Sequence, residues 1–177
     1  MITRNRVGLR AVEKEDLQIL KDWRNIPSFR KNFREFRELN NSNQDDWFLH
    51  LSGSSNDFMF IIDDIDKNIS VGAGGLLYTN WIIRSADFSF YIGHEESYID
   101  DNYSYDAAYL LIDYGFNVLN LNKLWMELYE YDHEKINFFT NNFNFKIDGK
   151  LRENCYYGGR YWDSLIISLT LNDFRGL

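Results

Sequence analysis

The sequence predicts a single α/β domain on a mixed, mainly antiparallel sheet with helices on both faces, and three observations carry this. First, three runs rich in β-branched and aromatic residues, Phe58 to Ile62, Ser70 to Tyr78 and Ser85 to Ile92, are separated only by the turn segments Asp64 to Asn68 and Thr79 to Arg84. Connections that short join neighbouring strands antiparallel, so this part reads as a meander. Second, Tyr105 to Leu169 alternates strand and helix grammar, which implies a parallel crossover attached to the meander. Third, the 177 residues include one proline, Pro27, and no Ser/Gly tract or repeat, so one domain spans 1–177.

The elements follow in order. Val7 to Arg10 is a short strand. From Glu15 to Arg24, Leu17, Leu20 and Trp23 recur at helical spacing until Pro27 stops the helix. Further helical stretches are expected near Ser28 to Phe36 and Gln44 to Leu51. After the meander, Tyr105 to Asn117 places Ala107, Leu110, Leu111 and Tyr114 on one helical face, and Lys123 to Leu128 reads as a strand. His133 to Asn141 is a short helix. Phe143 to Ile147 and Trp162 to Leu169 are strands around a loop from Arg152 to Gly159, giving about six or seven strands in all.

Composition narrows the function. The net charge of −8 argues against nucleic acid or an anionic membrane surface as the main partner. The one cysteine, Cys155, makes no internal disulfide and suits a reducing compartment, the opening MITRNRVGLR has no apolar core, and no run reaches a membrane-spanning length, so a cytoplasmic location is expected. The charge is uneven. Residues 1–37 carry ten Lys/Arg against five Asp/Glu, whereas 85–122 carry seven acids and no Lys or Arg, so poles are expected.

Several motifs fail on context. Val71-Gly72-Ala73-Gly74-Gly75 is glycine-rich, but it lies in a strand with no helix after it to cradle a phosphate, and reads as a bulged or tightly packed strand. His50, His94 and His133 lack metal-ligand spacing, and no metal is expected. Arg24, Arg30, Lys31, Arg34 and Arg37 interleave with Phe29, Phe33 and Phe36. That pattern fits either an amphipathic helix pairing with Glu35 and Glu38, or a patch for a phosphate or carboxylate group.

A family resemblance spans nearly the whole chain. Leu9-Arg10 with Glu15-Asp16-Leu17, Trp23-Arg24-Asn25, Gln44 with Trp47-Phe48, Gly74-Gly75-Leu76, Ala86-Asp87-Phe88, Leu151-Arg152-Glu153 and Gly159-Arg160-Tyr161-Trp162-Asp163 occur in the order seen in the GNAT N-acetyltransferase superfamily. The wording is similar to the branch that holds ribosomal-protein alanine and nucleotide-sugar amine acetyltransferases. The resemblance implies a GNAT-like fold in which the strand at Ser85 to Ile92 splays from that at Lys123 to Leu128. The pantetheine arm of acetyl-CoA would lie in the gap, bonded by backbone near Phe90, Tyr91 and Ile92, with the pyrophosphate at the helix N-terminus near Asn102, Tyr103 and Ser104. Asp132 stands where the family has an Asn that ends the following strand. Arg24, Trp47 and Trp81 would flank the acceptor, and Asp87 would be the base that deprotonates its ammonium, against the plainer reading of a strand-end acid.

Two departures stand out. In place of the usual R/Q-x-x-G-x-G/A, the chain has Ile99-Asp100-Asp101-Asn102-Tyr103-Ser104, with two carboxylates where the pyrophosphate is expected and Asn102 offered for the left-handed turn. Phe139 or Thr140 stands where the family has a Tyr that protonates the leaving sulfur, which leaves Thr140, a water, Tyr129 or Tyr131 as the donors to consider. The resulting expectation is an acetyl-CoA-dependent N-acetyltransferase that acts by direct transfer on a small-molecule or peptide amine. The alternative is a catalytically degraded GNAT-fold binding or regulatory module. A homodimer is compatible with either.

Overall fold

The structure, a computed structural model, describes residues 1–176. One eight-stranded sheet runs β1 (Ile2–Arg4), β2 (Val7–Ala11), β3 (Phe58–Asp64), β4 (Ile69–Asn80), β5 (Ser85–Ile92), β6 (Lys123–Tyr129), β8 (Arg160–Thr170), β7 (Lys146–Tyr157) across its width. All neighbours pair antiparallel except β5 and β6, which are parallel and joined through α4 (Ser104–Asp113). The mixed sheet and its single crossover match the sequence expectation, with eight strands in place of six or seven.

Helices cover both faces because β3 to β5 alternate. Ile62, Leu76, Phe88, Phe90 and Ile92 point into a large core with Leu111 of α4 and with Phe139 and Phe143 of α5 (His133–Phe143). Their neighbours Ile61, Ala73 and Tyr91 point the other way, against Leu20 and Trp23 of α1 (Leu17–Asn25) and Phe29 of α2 (Pro27–Arg30). Each fully buried Leu, Ile or Phe contributes roughly 1.5–3 kcal/mol of transfer free energy. The glycine-rich run lies inside β4, where a side chain on Gly75 would stand 2.2 Å from the Phe58 carbonyl oxygen.

Three expectations are corrected. The helix expected over Ser28 to Phe36 stops at Arg30, and residues 31–40 form turns and bends. Asn25 closes that segment at its far end, accepting from Leu39 N–H at 2.7 Å and donating to Leu39 C=O at 2.8 Å. The loop expected over Arg152 to Gly159 is mostly strand. Gly158 and Gly159, at φ 62° and 83°, make a tight hairpin turn, and the ladder runs on through Tyr157. Their positive φ is what lets two residues suffice. The strand expected over Phe143 to Ile147 begins only at Lys146, because Phe143 closes α5 and Asn144 takes the left-handed turn after it; elsewhere Arg4 pairs with Asp106 at 2.8 Å, and Arg34 with Asp87. α3 (Asn41–Gly53) and the short α6 (Leu171–Arg175) complete the chain, and no helix among the described residues is long and apolar enough to cross a membrane.

Candidate active site

β5 and β6 pair over only three rungs, Ser85 with Lys123, Ala86 with Leu124 and Asp87 with Trp125. Past Asp87 the two strands part, and a cavity of about 240 Å³ opens in the fork, lined among others by Asp87, Phe90, Met126, Glu127 and Lys135. A second cavity of about 590 Å³ adjoins it, lined by Trp47, Met59, Tyr91 and Arg37. Arg24, Glu35 and Tyr78 line both. Tyr78 takes a left-handed φ of 51° where the β4–β5 register shifts, a bulge that turns the β4 edge beside the fork.

Asp87 sits at the apex of the fork on the last paired rung and is buried. Burial pushes its pKa above the ordinary carboxylate value, while the Arg34 guanidinium ion-paired with it pulls the other way and Glu127 adds to the rise. Arg34 also reaches Glu127 Oε2 at 3.8 Å. Glu127 is held in turn by Asn154 Nδ2 at 2.7 Å and Ser164 Oγ at 2.8 Å. Two carboxylates from adjacent strands therefore flank one cation, and that cation comes from the bend between α2 and α3.

Arg24 lies with its guanidinium 4.1 Å over the Phe33 ring and has no hydrogen bond or ion pair among the described residues. Burial lowers its pKa, but a guanidinium stays charged. Trp47 shares the larger cavity with it. Trp81 stands apart on the β4–β5 turn, donating Nε1–H to Asn56 Oδ1 at 2.9 Å and packing edge-on against Phe58, outside both cavity linings.

The backbone of β5 presents fewer free groups to the fork than its length suggests. The Ser89 and Tyr91 carbonyls face β4, where side chains on Gly74 and Gly72 would meet them at 3.0 and 2.5 Å. Ile92 exchanges both its backbone hydrogen bonds with Tyr98, at 2.9 and 2.8 Å. The Phe90 carbonyl accepts instead from Lys135 Nζ at 2.7 Å. Asp132 caps α5 through Lys135 N–H and accepts from Tyr98 OH at 2.6 Å, so its buried carboxylate is spent on structure.

At the start of α4 the chain supplies its own anion. Asp100 Oδ1 accepts from Tyr103 N–H and Ser104 N–H at 2.9 Å each and from Ser104 Oγ at 3.0 Å, while Asp100 N–H donates to Ser104 Oγ at 2.8 Å. The Tyr103 side chain turns inward, donating to Asp64 Oδ2 at 2.9 Å beneath the Arg6 guanidinium. Asn102 is not left-handed, contrary to expectation. Glu95, Glu96 and Tyr98 take the positive φ angles, and the Asp100 cap closes the turn by side-chain bonds instead.

The structure thus shows a forked sheet, a buried carboxylate at the apex and a helix start capped by its own carboxylate. Residues 6–141 match the acetyltransferase (GNAT) domain family. The chain belongs to that family. It is an acetyl-CoA-dependent N-acetyltransferase. Among relatives, spermidine N(1)-acetyltransferase of Escherichia coli is 29% identical over 164 residues, 90% of this chain and 83% of that one. The fold is that of spermidine N-acetyltransferase from Vibrio cholerae solved with CoA and spermine, with TM-score 0.88 and 21% identity over 97% of this chain and 99% of that one. It is also that of the same enzyme in a dodecameric intermediate state, with TM-score 0.81 and 21% identity over 97% of each chain.

Set against a GNAT site, the open fork past Asp87 fits a thioester arm lying along β5, whereas the α4 start already holds the Asp100 carboxylate where an anion would go. Several residues that carried the resemblance turn out to brace the frame. Arg10 bonds Asp16 at 2.7 and 2.8 Å and Asp63 at 2.7 Å, and buried Gln44 ties α3 to the Leu17 carbonyl at 3.2 Å. Glu127 escaped the sequence reading. The alternation of β6 could have shown it, since Leu124, Met126 and Leu128 are buried and the residues between them are half-buried on the other face of the sheet.

Proposed function

We propose that this enzyme acetylates a small cationic aliphatic amine of the polyamine class, with spermidine the first acceptor to try, and that Asp87 is the base. The observation that carries the reading is the pair Asp87 and Glu127 holding the Arg34 guanidinium at the fork. A site that already accepts a cation beside its base suits an acceptor ammonium in that place. A carboxylate with a raised pKa is a better proton acceptor, and it takes the ammonium proton so that the nitrogen lone pair can attack the thioester carbonyl. The one thiol, Cys155, lies outside the fork lining, which supports direct transfer. The named function of the Escherichia coli relative supports the acceptor class.

Within the basic segment Arg30 pairs with Glu38 at 3.5 Å, Arg37 with Glu35 at 2.6 Å, and Arg34 as above, which leaves Arg24 as its one guanidinium without an ion pair among the described residues. In this reading Trp47 and Arg24 wall the acceptor cavity. Acetyl-CoA lies along the fork between β5 and β6. Assembly and location belong here too. A relative of the same fold is described as dodecameric, and Trp81, Ile82 and Ile83 stand exposed on the β4–β5 turn, so a second copy fits there; a lone thiol suits the cytoplasm.

The test is thiol release from acetyl-CoA with spermidine, spermine, an N-terminal alanine peptide and a nucleotide-linked amino sugar. Turnover with the two polyamines at least tenfold above the others supports the reading. A preference for the peptide or the sugar overturns the acceptor, and no turnover with binding intact favours the binding module.

A further inference from the structure

Lys135 is the one buried lysine among the described residues, and it lines the fork cavity together with Asp87. Its Nζ donates to the Phe90 carbonyl at 2.7 Å and lies 4.4 Å over the Tyr98 ring, with no carboxylate in ion-pair range. A buried ammonium with one neutral partner is costly to hold, and such groups cluster where chemistry needs them. The charged and titratable groups around it are Asp132 and Glu134 on its own helix, Arg24 from α1, Asp87 from β5 and Tyr98 from the segment after β5. Burial dominates and, with Arg24, outweighs the carboxylates, bringing its pKa down to about 8. Thr140 offers no alternative donor, because its hydroxyl donates to Ile136 C=O of the same helix at 2.8 Å.

We propose that Lys135 is the proton donor to the leaving sulfur. This rests on the N-acetyltransferase reading and on the fork as the thioester site. As the acceptor nitrogen forms its bond to the carbonyl carbon, the carbon–sulfur bond breaks and its electron pair stays on sulfur. Lys135 Nζ–H passes a proton to that sulfur, giving the thiol. The acceptor nitrogen enters as an ammonium and leaves as an amide, so it sheds two protons. One goes to Asp87 and on to solvent, and the second returns through water to Nζ, restoring the ammonium. A donor that titrates near 8 is matched to a thiol of ordinary pKa near 8.5.

Three variants test this. Lys135→Met keeps the volume and removes both charge and proton. Lys135→Arg keeps the charge on a group that does not give up a proton. The first readout needs no turnover: the ultraviolet absorbance of the bound CoA thiolate, titrated with pH. We expect the bound thiol to titrate about one unit lower in the parent and in Lys135→Arg than in Lys135→Met. The second readout is kcat with acetyl-CoA, expected to fall about 100-fold or more in both variants, against an acetyl ester of an aryl thiol, whose thiolate leaves without a proton and whose rate should stay within about threefold of the parent. Equal loss with both donors, or a bound thiol indifferent to Lys135→Met, overturns the proposal and leaves the family reading standing. A parent that binds no CoA removes the fork as donor site, and the proposal with it. The third variant, Thr140→Val, should leave both readouts unchanged; a loss there of the size seen in Lys135→Met would move the donor role to Thr140.

Discussion

The fork apex and the α4 start are each closed by a carboxylate of the chain itself, and in unequal ways. At the acceptor end, Asp87 is paired with Arg34, whose side chain is 48% exposed and belongs to a bend with no regular structure. That pair joins a buried carboxylate to a half-exposed guanidinium, so solvent screens it from one side only. At the α4 end, one oxygen of Asp100 accepts three hydrogen bonds and its amide makes a fourth. Each contributes about 0.5–1.5 kcal/mol, so an incoming anion displaces several such bonds. The contrast teaches that the same device, a carboxylate bonded within the chain, can hold a cation loosely at one point and close a helix start firmly at another. The strength of each hold depends on how many bonds make it.

Three changes break or sharpen that contrast. Asp87→Asn should have the largest effect: a fall of about 100-fold or more in kcat/KM with the fold retained, read by thiol release beside a circular dichroism melt. Activity near the parent level would remove Asp87 as the base. Asp100→Asn comes next. The amide oxygen still accepts from the α4 N–H groups, but the negative charge is gone, so acetyl-CoA should bind about fivefold tighter by calorimetry, with acetyl-pantetheine, which lacks the pyrophosphate, unchanged. Equal gains for both, or none, would show that the carboxylate does not guard the pyrophosphate end.

The smallest effect is expected at Arg34→Met, and its sign follows from the charges. Arg34 lowers the Asp87 pKa against the rise from burial, so removing the guanidinium lets that pKa climb. The base is active only when ionised. The acid limb of kcat/KM should therefore move to higher pH, by about one unit or less, with little change in thermal stability. A limb that stays in place would mean that Arg34 does not sense the base in solution.

Much of the frame was legible in residue order. The alternation of β3 to β5, the Leu17-Leu20-Trp23 spacing and the acid-rich crossover loop are local patterns, and each became the element or charge they suggested. Misreadings fell where local signals run short. The apolar spacing of Phe29, Phe33 and Phe36 looks helical, yet the three rings go different ways: Phe29 is buried, Phe33 packs edge-to-face with Tyr91 and Tyr98, and Phe36 is 80% exposed. Within the site, Asp87 could be named from Ala86-Asp87-Phe88. Its partners could not, because Arg34 stands 53 positions away and Lys135 meets Phe90 across 45.

By itself, then, residue order determined the single domain, the strand grammar with its one crossover, and the family, because periodicity and turn chemistry act over a few positions and survive in any description of the chain. Only the tertiary structure decided which charges are free. It put Arg34 on the base, laid Asp100 across the helix amides and buried Lys135 with no counter-ion, and these outcomes depend on distance and desolvation between segments that folding alone brings together.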